Sequence, residues 1–200
     1  MGEQLRDRVR WELEQGVARI TMIRSGAGNA LDMAMAEALG EAADRVERGA
    51  ADGSVRVAVL AAEGKAFCVG GDLQEFAAAE QRDVQVAAVA DELHRTILVL
   101  RRAAAPVVSV VHGTVAGGGI GMALAADVVL IAEEAKVRLA STAAGLRATA
   151  GSSAAASSRN LAPSFPSVRR RFLSRARACD QLKNEERGGG RVCTENGRRS

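Results

Sequence analysis

Hydrophobic and polar positions alternate strictly near the start of the chain. Trp11 and Leu13 alternate with Glu12 and Glu14; past Gln15-Gly16, Ala18, Ile20 and Met22 alternate with Arg19 and Thr21. Period two across a glycine-containing turn predicts two half-buried antiparallel strands over residues 9–23. The pattern then changes period. Met35, Leu39, Ala42 and Val46 recur three or four apart, which predicts a helix reaching about Arg48, capped by Asp32 at its start and closed by Gly49 and Gly53. Val55, Val57, Val59 and Leu60, with Ala58 between them, make a nearly continuous apolar run, as a strand covered on both faces requires.

Residues 74–83 are polar and alanine-rich and predict a flexible flap. Val86, Val89, Leu93, Ile97 and Leu100 mark a long amphipathic helix, with Arg101 and Arg102 at the end that favours cations and Pro106 as its stop. A second apolar run over residues 106–111 leads into His112-Gly113-Thr114-Val115-Ala116-Gly117-Gly118-Gly119. This reads as strand, glycine turn, then a helix starting at Gly118 or Gly119. Clustered glycines are entropically costly, so the fold needs bare backbone there, and a helix start points free N–H groups outward. Residues 120–126 predict a short helix and 128–131 a further strand. Strands alternating with helices predict an α/β fold.

After Gly145 the periodicity fails, and composition shows why the chain divides there. Residues 1–148 carry a net charge of −4 and residues 149–200 a net of +7, although the whole chain is only +3. The predicted organisation is therefore a domain over 1–148 and a basic tail over 149–200 without a packed core. Apolar residues are 48 % of the sequence but aromatics 2 %, so the core must be built from aliphatic and alanine side chains. Cys68, Cys179 and Cys193 fit neither a metal spacing nor a disulfide framework. No metal is expected. With no run of 18 uncharged apolar residues, the expected setting is cytoplasmic, away from membranes.

Four segments carry a resemblance to the enoyl-CoA hydratase/isomerase, or crotonase, family over residues 9–146. They are Gly28-Asn29-Ala30-Leu31-Asp32, the run Gly64-Lys65-Ala66-Phe67-Cys68-Val69-Gly70-Gly71-Asp72-Leu73, the strand at 106–111 leading into Gly117-Gly118-Gly119, and Ala125-Ala126-Asp127. The resemblance implies an incomplete crotonase-like ββα spiral with an irregular C-terminal tail. It implies hydration of 2-trans-enoyl-CoA to 3-hydroxyacyl-CoA in fatty-acid metabolism, with acyl-CoA as substrate and no separate cofactor. By the family's motifs, the backbone N–H groups of Gly71 and Gly118 form an oxyanion hole, Ala66 lines the CoA arm, and Asn29, Ala30 and Leu31 lie near its nucleotide part. An intact member is expected to be a homo-trimer or hexamer.

The acid–base residues depart from that pattern. Family hydratases carry one glutamate two positions after the third glycine of the triplet, where this chain has Gly121, and a second where it has Ser141. Isomerase-like relatives carry an aspartate in a segment that here reads Leu146-Arg147-Ala148-Thr149-Ala150-Gly151. Motif, charge balance and periodicity are lost together beyond Leu146, as a shifted reading frame or disrupted gene would produce. Impaired catalysis is the expectation, and the alternatives are a non-catalytic acyl-CoA-binding or remnant protein and an enoyl-CoA isomerase. A Rossmann site fails because the spacing from Gly119 reaches Gly121 and then Leu124. A nucleic-acid role for Arg169-Arg170-Arg171 has only Phe165 and Phe172 nearby for stacking and no recognised module.

The remaining polar residues have plain structural expectations. Cys68 is a small core-facing residue, His112 makes a structural hydrogen bond, and His94 is solvated. Asp127 caps or pairs a strand edge, Asp72 accepts backbone hydrogen bonds, and Glu133 and Glu134 face solvent.

Overall fold

The predicted hairpin forms as β2 (Val9–Glu14) and β3 (Val17–Met22), paired antiparallel with Trp11 opposite Ile20. A strand that the alternation did not reveal, β1 (Glu3–Leu5), precedes it. The computed structural model describes residues 2–138; Ser141, the segment 146–151 and the 149–200 tail lie outside the described residues.

Helix α1 (Met33–Asp52) begins as expected: the Asp32 carboxylate accepts from the Met35 N–H at 2.6 Å. It runs further than expected. Gly49 does not end it but lies buried inside it, pressed against Val55, and Gly53 closes it in the left-handed conformation at φ +79°. The apolar stripe Met35, Leu39, Ala42, Val46 is buried, as its spacing requires.

From here the chain repeats one device: a strand in a large sheet, a short strand in a small sheet, then a helix. β4 (Val57–Ala62) and β5 (Ala66–Cys68) are followed by α2 (Leu73–Ala78) and α3 (Arg82–Arg102); β6 (Val107–Val111) and β7 (Thr114–Ala116) by α4 (Gly118–Leu124); then come β8 (Val128–Ile131) and β9 (Lys136–Arg138). The large sheet has the order β1-β2-β3-β4-β6-β8, antiparallel up to β3 and parallel beyond it; β5-β7-β9 make the small parallel sheet. The fold is α/β with repeating ββα packing. All described residues belong to one compact unit.

Residues 74–83 contain helix rather than a flexible flap. Asp72 Oδ1 caps α2 by accepting from the Gln74 and Glu75 N–H groups, and Phe76 is buried at 3 % exposure. One cap and one buried ring order a segment too short to show periodicity. The strands β5, β7 and β9 are three residues each and equally silent in the pattern. Among the core residues Phe67 is the only fully buried aromatic side chain; Ile20, Met22, Leu31, Leu39 and Leu60 are among the other large side chains buried there.

Candidate functional site

The site is made of backbone, and four of its parts meet at Leu31. The loop that follows β3 turns back through a short 3₁₀ segment, Ser25–Ala27, and Asn29 sits in the left-handed region at φ +56°, which asparagine tolerates better than most residues. Its side chain is fully buried and Nδ2 donates to the Glu63 and Ala66 carbonyls, both at 2.9 Å. Asn29 therefore holds the β4–β5 connection against this turn. Ala30 is buried and Leu31 is 1 % exposed.

Leu31 bridges the loop after β5. Its N–H donates to the Gly70 carbonyl at 2.8 Å, and its carbonyl accepts from the Asp72 N–H at 3.1 Å. Both bonds skip Gly71, which sits opposite Leu31 in this parallel bridge. No cis peptide bond occurs among the described residues, so the C=O of Gly70 and the N–H of Gly71 point in opposite directions across one planar unit. With the Gly70 carbonyl bound to Leu31, the Gly71 N–H must turn away from it. A Cβ at Gly71 would lie 2.6 Å from Phe76 Cε2, so any larger residue there has to displace that buried ring.

The same logic governs Gly118, the first residue of α4. The Gly117 carbonyl accepts from the Ile120 N–H at 3.1 Å, so the Gly118 N–H points the opposite way, out of the start of the helix. Among the described residues neither N–H donates to a protein acceptor. The two loops touch: a Cβ on Gly117 would be 3.5 Å from Gly70 Cα, and one on Gly118 would be 2.9 Å from Leu31 Cδ1. Gly117 itself, at φ +50° and ψ −126°, takes a conformation that favours glycine. Val69 and Leu73, on either side of the Gly70-Gly71-Asp72 turn, are exposed apolar side chains. Two backbone N–H groups without a protein acceptor thus lie on touching loops, beside exposed apolar side chains, and donors of that kind can stabilise an oxygen that gains negative charge.

The acid–base candidates are engaged elsewhere. His112 Nε2 lies 2.9 Å from the Gly64 carbonyl, the structural bond expected of it. Asp127 ties β6 to β8: Oδ2 accepts from the Val107 N–H at 2.8 Å while its own N–H donates to the Val107 carbonyl at 2.9 Å. Cys68 is fully buried, and burial pushes its thiol up to about 12, partly opposed by a hydrogen bond from the Gly70 backbone. His94 is half-buried on α3, and Glu133 and Glu134 are exposed. Gly121 is buried within α4 and offers no side chain.

A residue that the sequence reading passed over holds the turn together. Arg24 Nη1 donates to Asp72 Oδ2 at 2.7 Å and to the Ala30 carbonyl at 3.2 Å, and it lies 3.2 Å from Asp32 Oδ2; Arg8 Nε donates to the same Asp32 oxygen at 2.9 Å. Asp32, Asp72 and Glu75 bring carboxylate oxygens within 4.8 Å of one another, a spacing that a cation could use, but here guanidinium groups pair with Asp32 and Asp72, and the Gln85 amide donates to Glu75. Arg24 is 48 residues from Asp72, and no local pattern announces such a pair.

Residues 12–162 match the enoyl-CoA hydratase/isomerase family. The chain belongs to that family. It is 37 % identical over 143 residues to a probable enoyl-CoA hydratase of Rhodobacter capsulatus, covering 72 % of this chain and 53 % of that protein. It is 31 % identical over 143 residues to a trans-2-decenoyl-[acyl-carrier-protein] isomerase of Streptococcus mutans, covering 70 % and 53 %. The crystal structure of an enoyl-CoA hydratase from Mycobacterium smegmatis superposes with a TM-score of 0.68 at 33 % identity, over 77 % of this chain and 58 % of that one. The chain spans about half the length of the curated relatives it matches. Among the described residues no helix is long and apolar enough to cross a membrane.

Proposed function

We propose that this crotonase-family chain binds an acyl-CoA thioester, with the carbonyl oxygen held by the N–H groups of Gly71 and Gly118. The observation that carries the reading is the contact between the 70–71 and 117–118 loops, with both N–H groups turned away from protein acceptors by their own trans peptides. A thioester carbonyl becomes negative as an enolate forms, and preorganised donors stabilise that charge without reorganising. The Asn29-Ala30-Leu31 turn and Ala66 border the path of the CoA arm. Asn29 acts there from beneath, through the carbonyls it holds.

The reaction of the family, hydration of a 2-trans-enoyl-CoA, also needs groups that activate water and protonate carbon. Gly121 stands at the first such position, and Asp72, His112 and Asp127 are bound up in structural hydrogen bonds. The reading is therefore of thioester binding with hydratase turnover near background. Enolate stabilisation alone serves hydration and double-bond isomerisation equally, so the donors do not choose between them.

Isothermal titration with crotonyl-CoA tests the binding. Saturable heat with one site per chain is expected from folded protein. No heat and no thermal stabilisation at millimolar ligand, with circular dichroism showing folded protein, overturns the proposal.

A further inference from the structure

We propose that Arg24 is a positioning residue for the oxyanion donor Gly71, acting through Asp72 and the Leu31 bridge; the inference rests on the reading of Gly71 given above. Arg24 grips the turn at both ends. Its backbone carbonyl accepts from the Asn29 N–H at 2.9 Å, and its guanidinium reaches forward to the Ala30 carbonyl. The same Nη1 contacts Asp32 and Asp72. Its partners are thus the residues on either side of Leu31 and the residue that follows Gly71. The bridge that aims the Gly71 N–H lies inside this ring of contacts.

Asp72 divides its two oxygens between two tasks. Oδ1 caps α2 through the Gln74 and Glu75 N–H groups, and Oδ2 takes the Arg24 guanidinium. Asp72 also donates its N–H to Leu31. Movement of Asp72 therefore carries the Gly71–Asp72 peptide with it. Arg24 is its only cationic partner among the described residues, whereas Asp32 keeps Arg8 when Arg24 is removed. Arg24 and Arg8 lie in one cluster with similar exposure of 25 % and 28 %, yet only Arg24 touches the donor loop. A lysine cannot reproduce this, since all three contacts run through Nη1 and a lysine ammonium ends one bond nearer the backbone.

The test compares two ligands on each variant: butyryl-CoA, a thioester, and S-butyl-CoA, a thioether without the carbonyl. Their affinity ratio isolates the carbonyl contact, and loss of stability alone does not change it. The unaltered chain should prefer the thioester by roughly tenfold or more, the worth of one or two hydrogen bonds. Arg24→Met should bring the ratio to about threefold or less while thioether affinity stays within about threefold. Arg8→Met, which leaves Asp72 untouched, should keep the full ratio. If Arg24→Met does not fold, Arg24→Lys reads the same ratio and should lower it. Equal binding of the two ligands by the unaltered chain, or no binding of either, overturns the reading of Gly71 itself. A full preference retained in a folded Arg24→Met or Arg24→Lys overturns the positioning role alone.

Discussion

Gly119 lies directly over Cys68. A Cβ at Gly119 would fall 2.7 Å from both Cβ and Sγ of Cys68 and 2.9 Å from its carbonyl oxygen. The third glycine of the triplet thus exists for close packing of α4 on β5, while the second leaves its N–H open. Gly119→Ala should destabilise the fold by about 1–3 kcal/mol, because overpacking against fixed backbone outweighs the better helix propensity of alanine. Gly113→Ala should cost more: its φ is +58° and its Cβ would strike the Lys65 carbonyl. Gly26→Ala, with nothing within 4 Å, should change stability by no more than about 0.5 kcal/mol. Urea denaturation of the three variants checks this order.

The Cys68 thiol should be inert in the native protein. Burial pushes its titration up to about 12, so the nucleophilic thiolate is scarce at neutral pH and the sulfur is out of reach of reagents. Iodoacetamide at pH 8 followed by peptide mass spectrometry should leave Cys68 unmodified until denaturant is added. Rapid native alkylation at Cys68 contradicts the packing of α4 described here.

Asp72 predicts an acid limb in the stability profile. Burial pushes its carboxyl up, but hydrogen bonds from Arg24 and from the Glu75 and Gln74 N–H groups together bring it below the ordinary carboxylate value. A carboxyl that titrates lower folded than unfolded binds fewer protons in the native state. Its contribution is present above the unfolded value of about 3.9 and is lost as pH falls through the lower folded value. Asp72→Asn should lower stability at pH 7 by about 1–2 kcal/mol, through loss of the charge-assisted bond to Arg24. It should also reduce the slope below about pH 4, measured by thermal unfolding across pH 2–7.

How much of this was legible in the sequence differs from element to element. The β2–β3 hairpin and the cap of α1 were legible because their determinants are local: alternation across Gln15-Gly16, and one carboxylate three residues ahead of the N–H it caps. The glycine loops were legible as a pair because their motifs occur in order. The length of α1 was not, since Gly49 reads as a stop but is kept in the helix by its tight fit against Val55. The Leu31–Gly71 bridge and the Arg24–Asp72 ion pair were not legible either. Each joins residues 40 or more positions apart, brought together by parallel pairing of β3 and β4 and by the Asn29 side chain.

Hydratase turnover should fall at least about 100-fold below that of an intact family hydratase assayed alongside, since a missing acid or base commonly costs that much. The assay is loss of crotonyl-CoA absorbance at equal protein concentration. Turnover within tenfold of the intact enzyme would mean that another group takes the role missing at Gly121.

Infrared difference spectroscopy of bound crotonyl-CoA labelled with carbon-13 at the carbonyl reads whether Gly71 and Gly118 hold the thioester oxygen. Two N–H donors draw charge onto the oxygen and weaken the C=O bond. The labelled band should move to lower wavenumber on binding and return toward its free position in Arg24→Met. A band at the free-solution position with the ligand bound at saturation would mean that neither N–H reaches the carbonyl.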